Sequence, residues 1–321
     1  LILLSLSVSC VFGECSQETF CEEMVDGAAI SPLFGEPSQL FRWWSPFVVV
    51  FSALFFSVLH FVGEQVCERL PAYWKLATDQ DRAEWPHRWV SSPHAAIVSL
   101  SAIFLCLLGP ETLSGFFPGM TAPQLYRLFE DLRIFVVALS TGYFLLGAIL
   151  LLVRYTLIFD TLRLIHHLFA LFGFATFLYH PDGPYYACFL LVTEITTPFI
   201  NLLLTLRSAY HHQRPGMGMI FLGIFLLLLW FVFRLVIMAA LLWLGPFHIN
   251  IFHGFSVVPV RTVSFADLVP ANQVVLGANF VLLLALNLFW FVKLVLGFLK
   301  AKAKSNNKNG ENRDGKKRKA E

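Results

Sequence analysis

Seven stretches of this chain are apolar over about the 20 residues that a helix needs to cross the hydrocarbon of a bilayer. They fall near residues 45–63, 92–109, 133–153, 160–179, 184–206, 218–244 and 274–299. Within a bilayer no water satisfies free N–H and C=O groups, so each stretch has to be a helix bonded within itself. The fold expected is an all-α, polytopic membrane bundle of about seven transmembrane helices. Composition agrees, with 57% hydrophobic and only 14% charged residues among 321. Soluble domains carry about a quarter.

Loop chemistry separates the runs. RLPAYWKLATDQDRAEWPHR (69–88) reads as a charged, Trp-rich connection, and GPETLSGFFPGM (109–120) as the next. HPDGP (180–184) reads as a tight turn that makes the fourth and fifth spans antiparallel neighbours. HHQRPGMG (211–218) holds His211 and His212, and a longer segment, 245–273, precedes the last span.

Lys and Arg in the loops set the orientation. Arg69, Lys75, Arg82, Arg88, Arg154, Arg163, Arg207 and Arg214 fall on one side with the C-terminal tail, whereas Arg127, Arg133 and Arg261 fall on the other. The tail is therefore expected in the cytosol and the N-terminus in a lumen. Residues 1–13, LILLSLSVSCVFG, resemble the apolar core and small-residue end of a secretory signal. Residues 14–44 would then be lumenal, where Cys15 and Cys21 could pair, and 45–300 would form the membrane domain. Cys67, Cys106 and Cys188 read as small apolar fillers.

The tail, 301–321, has nothing to bury and is expected to be disordered. Nine of the 23 Lys and Arg residues lie beyond Leu299. Its ending, KRKAE, sets Lys317 and Lys319 fifth and third from the end, the form of a dilysine retrieval signal read by coat proteins. Read so, it implies residence in the endoplasmic reticulum membrane; the other reading of the tail is a basic solvated arm near anionic lipid headgroups. A nuclear role for KKRK fits a seven-span chain poorly, and no nucleic-acid partner is expected.

Ionisable groups inside a bilayer cost about 2.5–3.5 kcal/mol each on insertion scales, so they face the bundle interior and pair. In LVTEITTPFINLLLTLRS, residues Glu194, Thr197, Asn201, Thr205 and Ser208 follow helical spacing along one face. Pro198 removes an N–H bond to the carbonyl of Glu194 and is expected to kink the helix and bare that carbonyl. His166 and His167 point about 100° apart, one residue apart on a helix of 3.6 residues per turn. Asp160 and Arg163 share a face with His167, which favours His167 as the inward member. His167 and Glu194 both fall near mid-membrane, so they meet if the fourth and fifth spans pack. Arg234, within FLLLLWFVFRLVIMAALLW, needs a partner, and Glu194 lies in the same membrane half. His60 and Glu64 form an i, i+4 pair at the end of the first span. Among ten histidines no HxxxH or HxxHH box occurs, so neither a di-iron site nor any other metal is expected.

RLIHHLFALFGFATFL followed by FLLVTEITTPFINLLLTLR resembles the TLC domain. ALSTGYFLLGAILLL resembles its GYF-containing helix, and EWPHRWVSSPHA its W-x-x-R…S-x-x-H-A opening. The likeness covers about 45–300. The family includes the translocon-associated chain protein, ceramide synthases, the ceroid-lipofuscinosis membrane protein and small proteins named for the domain. The paired histidines with E-x-x-x-P-F-x-N are most similar to those small proteins. Ceramide synthases carry an HD…D…LE-type constellation after the histidine pair. Thr193-Glu194 stands here at the HD place, Thr197 at the second Asp and Asn201 at the Glu; the Asp frequent shortly after GYF is Gly147 or a neighbour.

The resemblance implies a six-span bundle with one extra span, and two functions that are kept apart. In the first, His167, Glu194, Thr197, Asn201 and Arg234 line an intramembrane polar cavity that binds, senses or moves a membrane lipid, without a cofactor. In the second, the chain is a ceramide-synthase-like N-acyltransferase with acyl-CoA as co-substrate and a sphingoid base as acceptor. His166 or His167 would then be the general base and Glu194 its orienting acid. The two missing acids weigh against that second reading. A helper of protein translocation or export rests on family analogy alone. Oligomeric state is left open.

Overall fold

The computed structural model describes residues 39–107, 119–154, 160–179, 183–210, 216–242, 277–297 and 299. The signal-like start, Cys15 and Cys21, His211 and His212, and the tail with Lys317 and Lys319 lie outside the described residues. Among the described residues the regular structure is helical, with no strand. Seven helices are long and apolar enough to cross a membrane, so the chain is an all-α multi-pass membrane protein.

In chain order the elements are α1 (Gln39–Arg69), the short α2 (Pro71–Trp74), α3 (Asp79–Leu107), α4 (Ala122–Val153) and α5 (Thr161–Tyr179). Then come α6 (Gly183–Val192), a 3-10 turn (Thr193–Thr196), α7 (Thr197–Ala209), α8 (Met217–Leu229), a widened π turn (Trp230–Val236) and α9 (Ile237–Leu242). The last is α10 (Gly277–Gly297). One span is made of α6 with α7, and another of α8 with the π turn and α9.

Three helices run beyond their apolar windows. The largest difference is at 64–90, expected as a connection: α1 continues to Arg69, and α3 already begins at Asp79. Thr78 starts α3, since its Oγ1 accepts the Asp81 N–H at 3.0 Å, and Asp79 and Asp81 favour the positive helix start. The charged turn that follows is helical because its charges find partners. Arg88 Nη2 donates to Glu84 Oε2 at 2.9 Å, and Arg163 Nη2 reaches Glu84 Oε1 at 3.4 Å from α5. A window that scores only apolarity misses such a buried polar turn. Likewise α4 starts at Ala122 rather than 133, where Gln124 Oε1 accepts the Thr121 N–H at 2.8 Å.

α4 is the central helix, with 67% of its most apolar 18-residue stretch buried, and it packs against α1, α3, α5 and α6. Van der Waals fit rather than water exclusion drives helix association in lipid, so small residues mark the close contacts. At Gly142 a Cβ would meet the carbonyl of Val49 and the Cβ of Ser52. Glycine therefore lets α4 touch α1, and Ser52 Oγ donates across to the carbonyl of Leu139 at 2.5 Å. Outward-facing Phe47, Phe51, Val58, Phe221 and Leu228 are exposed, as lipid-facing positions of spanning helices should be.

Candidate functional site

The fifth span breaks where its polar residues cluster. The 3-10 turn Thr193–Thr196 joins α6 to α7, with Pro198 in the first turn of α7. The proline does not bare the Glu194 carbonyl as expected, because the Thr197 N–H turns back to it. A tighter i, i+3 bond replaces the lost i, i+4 bond. The break instead changes where side chains point, and the face read from the sequence divides in two.

Glu194 and Thr197 turn toward Arg234. Arg234 Nη2 donates to Glu194 Oε1 at 3.1 Å and to Thr197 Oγ1 at 3.0 Å. Thr197 Oγ1 in turn donates to Glu194 Oε2 at 2.6 Å. Arg234 Nε donates to Thr196 Oγ1 at 2.6 Å, and Nη1 to Asn287 Oδ1 at 3.2 Å. The guanidinium also lies 4.6 Å from the Trp230 ring, and Trp230 Nε1 donates to the carbonyl of Asn287 at 3.0 Å. Arg234 is 4% exposed, so this set of acceptors compensates a cation removed from solvent. The π turn that carries Trp230 and Arg234 is a winding found mostly as single-turn bulges, frequently at functional sites.

Asn201 and Ser208 turn the other way, to α3 and the residues before it. Asn201 Nδ2 donates to Ser91 Oγ at 2.6 Å and to Ser92 Oγ at 3.0 Å. Ser208 Oγ accepts the Ala77 N–H at 3.0 Å. Asn201 is thus a clasp between spans, and it does not line the cleft beside Glu194.

That cleft has an empty volume of about 330 Å³ including its open side, and it brings together His166, Thr193, Glu194, Arg234 and Asn287. Phe144, Phe174, Leu190, Met238 and Leu283 supply its apolar wall. As packed, its interior admits a water-sized group, so a larger guest requires side chains to part. The histidine on the cleft is His166, not His167. The faces set by Asp160 and Arg163 serve other ends: Asp160 Oδ1 caps α5 by accepting the Leu162 N–H at 3.0 Å, and Arg163 goes to Glu84.

His167 lies deeper, where its ring packs against that of Phe144, with centroids 5.4 Å apart. It fits there because position 147 is glycine: a Cβ at Gly147 would overlap its imidazole. Ring centroids run from His60 to His87 (6.2 Å), on to His167 (6.3 Å) and to His166 (5.8 Å), while His94 stacks on Tyr143 at 3.8 Å. The Nδ1 atoms of His166 and His167 are buried without a hydrogen-bond partner. Among the described residues no group of three or more His, Cys, Asp or Glu side chains could hold a metal ion. His60 stays 3.8 Å from Glu64 as its spacing indicates, and Glu64 also pairs with Arg154.

The sequence profile of the TLC domain matches residues 84–296, about two thirds of the chain. The chain belongs to the TLC domain family. It is 28% identical over 217 residues to TLC domain-containing protein 4-B of Danio rerio, covering 68% of this chain and 74% of that one. With TLC domain-containing protein 4 of Xenopus tropicalis the identity is 26% over 72% of this chain and 82% of the relative. The human TLC domain-containing protein 4 is 22% identical over 81% of this chain and 92% of its own. No solved structure matches the chain.

Within this TLC domain, sequence reasoning found Glu194, Thr197 and Arg234 together, but it missed Thr196, Trp230 and Asn287, which complete the shell around the guanidinium. Thr196 and Asn287 are ordinary polar residues in apolar helices. Their signal was available in principle, because any polar side chain at mid-span needs a partner.

Proposed function

We propose that this TLC domain protein acts in lipid homeostasis by taking the polar part of a membrane lipid into the cleft bounded by His166, Glu194 and Arg234. The observation that carries this reading is the Arg234–Glu194 pair, 3.1 Å apart, on the wall of a cleft that also holds His166, Thr193 and Asn287 and is otherwise aromatic and aliphatic. A polar head would meet the pair, the Asn287 amide and the free Nδ1 of His166, while an acyl chain would follow Phe144, Phe174 and Leu283. The π turn at Arg234 is the element that would move to admit it.

The test is mass spectrometry of lipid that co-purifies with the full chain in detergent. Retention of one lipid class, lost in Glu194→Gln with the fold intact, is the expected result. No enriched lipid in the unaltered protein would count against the reading.

A ceramide-synthase-like N-acyltransferase is the second reading, favoured by one observation: His166 faces the cleft with an unpartnered Nδ1. Against it, both Glu194 oxygens are engaged by Arg234 and Thr197 rather than by an imidazole. Histidine-dependent amide product from labelled acyl-CoA and sphingoid base, absent in His166→Ala, would establish this reading over the first.

Residence in the endoplasmic reticulum, with the C-terminus cytosolic, is supported by the Lys and Arg asymmetry and by Lys317 and Lys319. Coat-protein recognition of the tail follows from it. Lys317→Ser with Lys319→Ser should move a tagged protein out of that membrane; unchanged location would sink the retrieval signal.

A further inference from the structure

The charges on the cleft cancel. Apart from the His166 ring, its titratable lining residues are Glu194 and Arg234, and their side chains pair at 3.1 Å. The guanidinium is also nearly saturated. Its Nε–H goes to Thr196, one N–H of Nη1 to Asn287, and those of Nη2 to Glu194 and Thr197. The Trp230 ring lies 4.6 Å from its central carbon. Arginine grips a phosphate through two parallel N–H bonds, and Arg234 keeps no such pair for a guest.

What the cleft still offers is an acceptor and a ring nitrogen. Glu194 Oε1 accepts from Arg234 and Oε2 from Thr197, and a carboxylate oxygen can accept a second bond. His166 Nδ1 is buried without a partner. The interior admits a water-sized group. A hydroxyl is of that size, both donates and accepts, and carries no charge. A phosphate would bring a second negative charge to Glu194. An ammonium would add a positive charge beside Arg234 and has no lone pair to accept with. Either would leave a net charge in an apolar setting, which is costly.

We infer, resting on the lipid reading above, that the guest is an uncharged lipid whose head is a hydroxyl group, such as a diacylglycerol or a long-chain alcohol. The hydroxyl donates to a Glu194 oxygen and accepts from the Nδ1–H of His166. Its hydrocarbon follows Phe144, Phe174 and Leu283. Phospholipids surround the bundle in excess, and selection against them comes from the charge that they would strand beside a neutral pair.

The experiment adds deuterated dioleoylglycerol to the full unaltered chain in detergent and follows its adduct by native mass spectrometry. The adduct should be displaced by excess unlabelled dioleoylglycerol or oleyl alcohol. It should survive phosphatidic acid, a trimethylammonium analogue and the methyl ether of dioleoylglycerol, all with the same chains. It should be lost in Ala170→Leu, which fills the cleft wall. Displacement by the phosphate or trimethylammonium lipid would overturn the selection by charge, and displacement by the methyl ether the need for a hydroxyl donor. An adduct that persists in folded Ala170→Leu would put the lipid elsewhere and overturn the assignment. Where dioleoylglycerol forms no adduct but a charged lipid co-purifies with the chain, this inference falls and the lipid reading stands. Where no lipid of any class is held, both fall.

Discussion

Arg234 Nη2 and Glu194 Oε1 lie 3.1 Å apart although forty residues separate them in the chain. Their contact joins the π turn of one span to the 3-10 turn of another, so two irregular windings meet at the one ion pair on the cleft. Removing one partner of a buried pair leaves an uncompensated charge and costs about 3–5 kcal/mol, whereas replacing both removes that penalty. Glu194→Met and Arg234→Met should each lower thermal stability in detergent by that order. The double variant should lose clearly less than the sum. Simple additivity in this cycle would mean that the two groups are not coupled.

The second prediction concerns Gly147 and His167. A Cβ at position 147 collides with the imidazole, and overpacking of this kind costs about 1–3 kcal/mol. Gly147→Ala should therefore lower the melting temperature, and adding His167→Ala should recover much of the loss. Recovery is the diagnostic, because a helix-propensity effect of alanine would not depend on residue 167. Equal melting of Gly147→Ala and the unaltered protein would show that the ring sits elsewhere.

Asn201 separates packing from binding. Its amide ties α7 to Ser91 and Ser92, away from the cleft. Loss of the amide removes one donor from two hydroxyls that keep their own bonds to the Arg88 carbonyl, at about 0.5–1.5 kcal/mol. Asn201→Ala should reduce stability while leaving lipid per folded molecule unchanged, in contrast to Glu194→Gln. Parallel thermal melts and lipid quantification decide it, and equal lipid loss in both variants would put Asn201 back in the binding site.

The spans were legible because lipid leaves a helix no alternative, and the apolar runs mark where each one crosses. The Glu194–Arg234 pair was legible for a related reason, since an isolated charge at mid-span demands a partner in reach. What did not carry over was direction. Helical spacing put Glu194 and Asn201 on one face, but that projection assumes 3.6 residues per turn throughout. The 3-10 turn beside Pro198 changes the winding, and Asn201 rotates to α3. The same limit applies to the histidines. Spacing from Arg163 favoured His167, yet Arg163 is drawn to Glu84 and the cleft receives His166.

The last prediction turns on where a charge sits rather than on its kind. Glu84 and Asp79 are both acids in the first turns of α3, and each faces an arginine. Glu84 has a side chain 7% exposed and serves two cations, Arg88 at 2.9 Å and Arg163 at 3.4 Å. Asp79 has a side chain 85% exposed and pairs with Arg82 alone. Exposed pairs contribute about 0–1 kcal/mol because water and salt screen them, whereas stripping the acid from a buried network costs about 3–5 kcal/mol. Arg88 keeps a longer contact to Asp81 at 3.5 Å, which moderates the loss at that residue but leaves Arg163 with only Asp160, at 4.0 Å. Glu84→Gln should therefore lower the melting temperature far more than Asp79→Asn. Raising salt should narrow the effect of Asp79→Asn and leave that of Glu84→Gln nearly intact. Equal effects of the two substitutions would mean that the first turns of α3 are solvated alike, and that Arg163 of α5 does not reach Glu84 there.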